Sequence, residues 1–421
     1  MLQKYKKGDK MFSEGRCNIM LLQFKFKNHK CFYEETILDL MATQEKRHID
    51  SVIGINGNKI LPVIEIHGAN ASGKSSVLEA LQFMFEMIKM SSRVDINRDL
   101  PTVSFAFNDH KRGENSEYEI SVLLNDYEYR YGFSMNKNGF AEEWLYKKKF
   151  SSTTRATQKR IFEREKDRVD FGTSYEKYKK TWDFFGNNTY LSTNKLLILS
   201  NLAMKEEKGI LRDLYNYINK FNFRIESVFQ QQVSIDLLNK NNLLFEEFQK
   251  IINEFDPCLL GIEIEELDDD SGNKSYKISG VHKNIDNNNS RTLIPLHRES
   301  DGTIKIFNIM PTILMNLEIG GLLCIDELDI KFHPLLFKKI VSMYMDKNIN
   351  KHNAQLIFTA HSTFLFHSED LRRDQLYLVE KDSFGMSKLY SLSEFRGLRV
   401  DADYEKKYLT GQFGAIPYED K

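Results

Sequence analysis

"VIEIHGANASGKSSVLEAL", residues 63–81, sets a β-branched run against a glycine-containing loop and then places apolar residues at helical spacing. Strand, loop and helix are therefore expected in that order. Within it, Gly68-Ala-Asn-Ala-Ser-Gly73-Lys74-Ser75 satisfies the phosphate-loop spacing G-x-x-x-x-G-K-[ST], with Asn70 inside the loop and Ser76 just after it. The glycines let backbone N–H groups turn inward around phosphate oxygens, and the following helix aims its positive N-terminus at them. Lys74 is expected to reach the β and γ phosphates of a bound nucleotide, and the Ser75 hydroxyl to ligate magnesium. A glycine turn that binds nothing is the competing reading.

A second stretch, "LLCIDELDIKFHPLL" at 322–336, weighs against that alternative. Four apolar residues run directly into Asp326, a Walker B pattern whose carboxylate holds the magnesium hydration shell, and Glu327 then stands where it polarises the attacking water. Two carboxylates at the end of a buried strand are costly unless they meet a cation, and a parallel strand emerging at a ligand crevice supplies that setting. A third strand, "AQLIFTAHS" (354–362), ends at His361, the place of a γ-phosphate sensor, because imidazole donates to phosphate or orients water near neutral pH.

The rest of the chain is consistent with a soluble α/β protein. Its 421 residues are 41% hydrophobic and 28% charged, and no apolar run approaches the ~18 residues a membrane span requires. The N-terminal MLQKYKKGDKMFSEGRCN carries no apolar core of a signal peptide, so a cytoplasmic location is expected. The four cysteines lack a C-x-x-C pair, which argues against a disulfide framework or zinc site. A net charge of −1 advertises no nucleic acid partner, although basic runs at 147–150 and 157–168 leave one open; a solvated helix face is the favoured reading of those runs. Antiparallel strands are expected from Met20, and again over residues 103–146 around the Asn138-Gly139 turn. Charged, amide-rich helical segments follow to Asp256-Pro257, then three strands over 262–299, then helix, strand, helix and strand in α/β alternation.

Taken with "ESDGT" at 299–303, "CIDELD" and "TAHS", this order resembles the ABC-type ATPases of the SMC, RecF and OLD group. Within that group HGANASGKSSVLEAL, DELDIKFHPLL, FTAHSTFL and YLTGQFGAIPY are similar to prokaryotic phage-defence (abortive-infection) ATPases, paired with RloB/TOPRIM-type effectors. The resemblance implies a P-loop NTPase with a mixed sheet, antiparallel in its N-terminal part, and a large mainly helical insertion. It divides the chain into an N-terminal extension (1–19), an ATPase half carrying Walker A (20–150), the insertion (151–258) and a second ATPase half (259–421). It implies ATP and Mg2+ as cofactors, a homodimer with room for higher assembly, and an effector nuclease as partner. Residue by residue it places Ser300 and Gly302 in the signature that binds the γ-phosphate held by the opposite subunit, although ESDGT alone reads as a helix cap. It places Asp329 in the D-loop at the dimer interface, and Lys30 at the nucleotide. One departure is visible: Gln82 is the sole glutamine between Ser75 and Trp144, so no Q-loop glutamine exists and Asn108 or Asp109 would have to substitute.

Three rival readings fit the sequence less well. An OLD-like nuclease would use Glu380, Asp401 and Asp403, but about twenty residues are too few for the crossovers a TOPRIM fold needs between its acidic motifs. Arg291 and His297 match a HEPN ribonuclease spacing, but RTLIPLH reads as strand rather than helix, which discards that match. A RecF- or SMC-like DNA repair ATPase is the main alternative, weakened by the lack of heptads for a long coiled-coil arm.

Overall fold

The computed structural model describes residues 19–91, 98–108, 113–153, 156–166, 168–188, 193–219, 222–224, 230–268, 274–284, 290–367, 370–398 and 402–416. In chain order, β1 (Met20–Lys27) and β2 (Thr36–Asp39) pair antiparallel, β3 (Ile53–Ile55) and β4 (Asn58–Ile60) make a short hairpin, and β5 (Val63–His67) leads into α1 (Lys74–Met90). A meander follows: β6 (Ser116–Leu124), β7 (Tyr127–Asn136), β8 (Gly139–Lys149), β9 (Lys159–Glu165) and β10 (Arg168–Phe171). Helices α2 (Glu176–Asn188), α3 (Ile198–Lys205) and α4 (Ile210–Asn219) precede β11 (Asn222–Arg224), and α5 (Gln230–Lys240) and α6 (Asn242–Phe255) come after it. The chain then builds β12 (Leu259–Asp268), β13 (Lys274–Lys283), β14 (Arg291–Pro295), α7 (Asp301–Ile319), β15 (Leu322–Ile325), α8 (Pro334–Met345), β16 (Gln355–Thr359), β17 (Leu376–Lys381), β18 (Ser387–Ser391) and α9 (Tyr404–Leu409).

Two large sheets enclose α1. One is antiparallel, ordered β10-β9-β8-β7-β6-β1-β2; the other is ordered β11-β15-β16-β5-β17-β18, parallel throughout except for β18. Lying between the two sheets, α1 buries Val77, Leu78, Ala80, Leu81, Met84, Phe85, Met87 and Ile88 and leaves Glu86 and Met90 exposed. The parallel strands are covered on both faces, which is why they read as unbroken apolar runs. Ile64, Ile66, Cys324, Ile357 and Val379 point into the core shared with α1. Their neighbours Val63, Leu323, Ile325, Leu356, Phe358 and Leu378 point the other way, into a core with α7 and α8. The buried Gln355 side chain stitches the sheets together, accepting from Leu21 N at 2.8 Å and donating to Leu21 O at 2.9 Å.

Helix does not take over at residue 151. The run around 157–168, read from its charge as a solvated helix face, is strand β9 and its turn, and the antiparallel sheet continues to Phe171. Lys159, Arg160, Glu163 and Glu165 are exposed, while Ile161, Phe162 and Arg164 are buried. Arg164 is tolerated inside because its guanidinium lies 3.1 Å from Glu143 Oε2 and donates to Leu196 O at 2.8 Å. Glu143 in turn accepts from Ile198 N, Leu199 N and Tyr131 OH, capping the start of α3 and fastening the helical segment to the sheet. Removing one partner of such a buried pair costs about 3–5 kcal/mol. The basic run at 147–150 likewise sits on strand, at the end of β8. The three strands expected over 262–299 are present as an antiparallel sheet, β12-β13-β14. Among the described residues no helix is long and apolar enough to cross a membrane.

Candidate functional site

The C-terminal ends of β5, β15 and β16 lie side by side, and every group singled out for chemistry on these strands is at that edge. β5 delivers His67 to the loop, and three segments hold the loop from behind. A Cβ on Gly68 (φ 154°) would lie 2.4 Å from Val379 O, and one on Gly73 (φ 114°) 2.7 Å from Cys31 Sγ, so neither position accepts a side chain without displacement. The Ser387 hydroxyl donates to Ser72 O at 2.6 Å while its amide donates to Cys31 O at 2.8 Å. Ala69 N donates to Ala415 O at 3.0 Å. Helix α1 begins at Lys74 with no side-chain cap, so its first-turn amides are available to an anion.

Lys74 is buried, and its ammonium donates to the loop carbonyls of Gly68 (2.8 Å) and Ala69 (3.1 Å). Burial lowers its pKa, and the carboxylates of Asp326, Glu327 and Asp329 act against that shift. A desolvated cation resting on neutral carbonyls, within the field of those acids, is poised for a polyanion.

Across the sheet, Ile325 pairs with Phe358, which sets Asp326 beside Thr359. The Thr359 hydroxyl donates to Asp326 Oδ1 at 2.5 Å and accepts from Glu327 N at 2.7 Å, fixing both acidic residues with one side chain. Glu327 sits at φ 51°, a left-handed backbone that costs a non-glycine residue about 1–2 kcal/mol. That conformation is held by Thr359 and by Lys305 of α7, whose ammonium donates to the carbonyls of Glu327 (2.9 Å), Leu328 (3.1 Å) and Ile330 and lies 4.7 Å from the Phe332 ring centroid. Burial pulls the Lys305 pKa down to about 8. His361 Nε2 stands 3.3 Å from Glu327 Oε1, and Asp329 Oδ2 accepts from the amides of His361 (3.0 Å) and Ser362 (2.7 Å). Glutamate, histidine and the turn that carries them are thus one hydrogen-bonded unit.

Of the residues expected from sequence, Gly68, Gly73, Lys74, Ser75 and Ser76 form the loop and helix start, with Asn70 exposed at the tip. Asp326, Glu327, Asp329 and His361 gather opposite. Lys30, itself at φ 50°, forms an ion pair with Glu79 on the exposed side of α1. Ser300 is exposed and caps α7, its hydroxyl accepting from Thr303 N at 3.1 Å; the adjacent Asp301 pairs with Lys331 at 3.3 Å, and a Cβ on Gly302 would lie 3.3 Å from Lys331 O. Gln82 pairs with Glu86 along α1, Asn108 is exposed, and Asp109 lies outside the described residues. Of the nuclease candidates, Asp403 caps α9, Glu380 is on β17 and Asp401 lies outside the described residues; Arg291 and His297 are on β14 and the turn after it.

Three participants carried no assigned role in the sequence: Thr359, Lys305 and Ser387. Thr359 had a local signal, a hydroxyl at the last position of a buried strand. The other two act only through neighbours far along the chain. Replacing Thr359 with Val keeps the shape, removes both hydrogen bonds and frees the Glu327 backbone. Turnover is expected to fall about 10- to 100-fold with nucleotide affinity within a few-fold, measured as kcat against a binding titration.

A Gly-Lys-Ser loop at the end of one parallel strand, with an Asp-Glu pair ending the strand two places away, defines a P-loop nucleotide-binding domain. The chain belongs to the family described as "AAA domain, putative AbiEii toxin, Type IV TA system", which matches residues 66–366. Among solved structures, the SMC head domain from Thermotoga maritima is similar at 16% identity, covering 88% of this chain and 98% of that one with a TM-score of 0.38. None of the curated proteins matches the chain.

Proposed function

We propose that the protein is a Mg-ATP-dependent ATPase that dimerises around ATP and regulates an effector nuclease in anti-phage defence. The observation that carries the ATPase reading is the Lys74, Asp326, Glu327 and His361 arrangement at one sheet edge, with Glu327 held in a strained backbone. The residues fit the nucleotide: a helix start with no side-chain cap, two glycines whose Cβ positions are blocked, and a buried lysine whose ammonium rests on two backbone carbonyls. The loop amides and Lys74 would hold the phosphates, and the Ser75 hydroxyl and Asp326 would hold magnesium, which when bound would supply charge neutralisation at the terminal phosphate. Glu327 takes the proton from the attacking water, and His361 orients the Glu327 carboxylate.

The dimer reading draws on the helix start at Ser300, Asp301 and Gly302, where Ser300 and Asp301 are exposed beside the turn that carries Asp329. In the dimer, Ser300 and Gly302 of the partner subunit would cover the nucleotide. Ser300→Arg is expected to block ATP-induced dimerisation, read by light scattering, while ATP affinity of the monomer stays within a few-fold. Unchanged dimerisation would remove Ser300 from the interface. The defence role is supported by the family description and by the sequence resemblance, and a TOPRIM/RloB-type effector by the sequence resemblance alone. Co-purification of ATPase and effector in the presence and absence of ATP tests them.

A further inference from the structure

The C-terminal segment touches both sides of the nucleotide site. Asp403 caps helix α9, its carboxylate accepting from Lys406 N at 2.8 Å. Within the first turn, Glu405 Oε1 accepts from Thr363 Oγ1 at 2.6 Å and Oε2 lies 3.7 Å from His367 Nε2, so Glu405 grips the short turn that follows His361. Tyr408, on the same helix, is buried with its ring edge-on to Phe366 (5.3 Å) and to His67 (4.9 Å), the residue before Gly68. Its hydroxyl donates to Ala415 O at 3.0 Å, and that same carbonyl receives Ala69 N of the phosphate loop at 3.0 Å. Gly414 and Ala415, at φ 69° and 57°, supply the turn that points this carbonyl back, and Tyr390 OH pins the turn through Phe413 O at 2.8 Å.

Ala69, Ala415, Tyr408, Glu405, Thr363 and His361 therefore form a continuous path of hydrogen bonds and short stretches of chain, with His67 packed beneath it. We propose that residues 403–416 are a strap coupling the phosphate loop to the His361 turn, in which Glu405 and Tyr408 are positioning residues; this rests on the nucleotide-site reading above. Glu405 acts through the turn that places His361 against Glu327. Tyr408 acts through Ala415 on the loop.

The two ends separate in kinetics. Glu405→Ala is expected to lower kcat about tenfold with the KM for ATP within about twofold, the size of one lost hydrogen bond, and Glu405→Gln, which keeps the acceptor for Thr363, to recover most of it. Tyr408→Phe keeps the ring packing and is expected to raise KM about three- to fivefold with little change in kcat. Hydrogen exchange on the full-length chain adds a readout that packing alone would not move: Mg-ATP slows exchange at 404–416 together with 68–76, and in Glu405→Ala the response at 361–367 is lost. Protection of 68–76 with 404–416 unchanged, or parental kcat and KM in both Glu405→Ala and Tyr408→Phe, overturns the strap. Absence of protection at 68–76 in the parental chain overturns the nucleotide site itself. Melting curves of the three variants separate local loosening from unfolding, and the Gln and Phe variants keep the test open if the Ala variant does not fold.

Discussion

Lys74→Ala is expected to lose ATP binding by about 100-fold or more in a calorimetric titration. The parental ammonium gives up two neutral carbonyl contacts, to Gly68 and Ala69, and gains charge-assisted hydrogen bonds to phosphate. Hydrogen bonds involving charged groups contribute about 1.5–3 kcal/mol each, and every 1.4 kcal/mol is tenfold in affinity, so two such contacts account for a loss of that size. The fold should survive, because the change removes one donor from only two loop carbonyls, those of Gly68 and Ala69. Normal affinity in this variant would count decisively against the phosphate-loop assignment.

Glu327→Gln separates binding from chemistry. The amide keeps the size of the carboxylate, the hydrogen bond from its own N–H to Thr359 is untouched, and Asp326 stays in place as metal ligand. Loss of a general base lowers turnover by about 10²- to 10⁴-fold, whereas ATP affinity should remain within a few-fold. The variant should accumulate in the ATP-bound, dimeric state. Parental hydrolysis would show that another group activates water.

The sequence was most legible where chemistry forces local spacing. Residues 63–81 and 322–327 announce themselves because a phosphate cradle needs glycines and a lysine at fixed offsets, and because a carboxylate pair ending an apolar strand has few other uses. The strands and helices from Leu259 to Thr359 were equally readable from apolar periodicity. Residues 157–168 were not. Arg and Glu are good helix formers, and β9 accommodates its buried Arg164 through Glu143, twenty-one residues upstream, a pairing that no local pattern contains. Thr359 and Lys305 show the same limit within the site: each acts on Glu327 across a sheet register or a helix packing that exists only once the chain has folded. The Glu405 and Tyr408 contacts join segments separated by up to about 340 residues and were illegible for that reason.

The most direct test of the central claim is a calorimetric titration of the Glu327→Gln chain with ATP in the presence of magnesium. One nucleotide bound per chain, with binding abolished when Lys74→Ala is added, is the predicted result. No binding heat at millimolar ATP, or heat undiminished by the loss of Lys74, would contradict it.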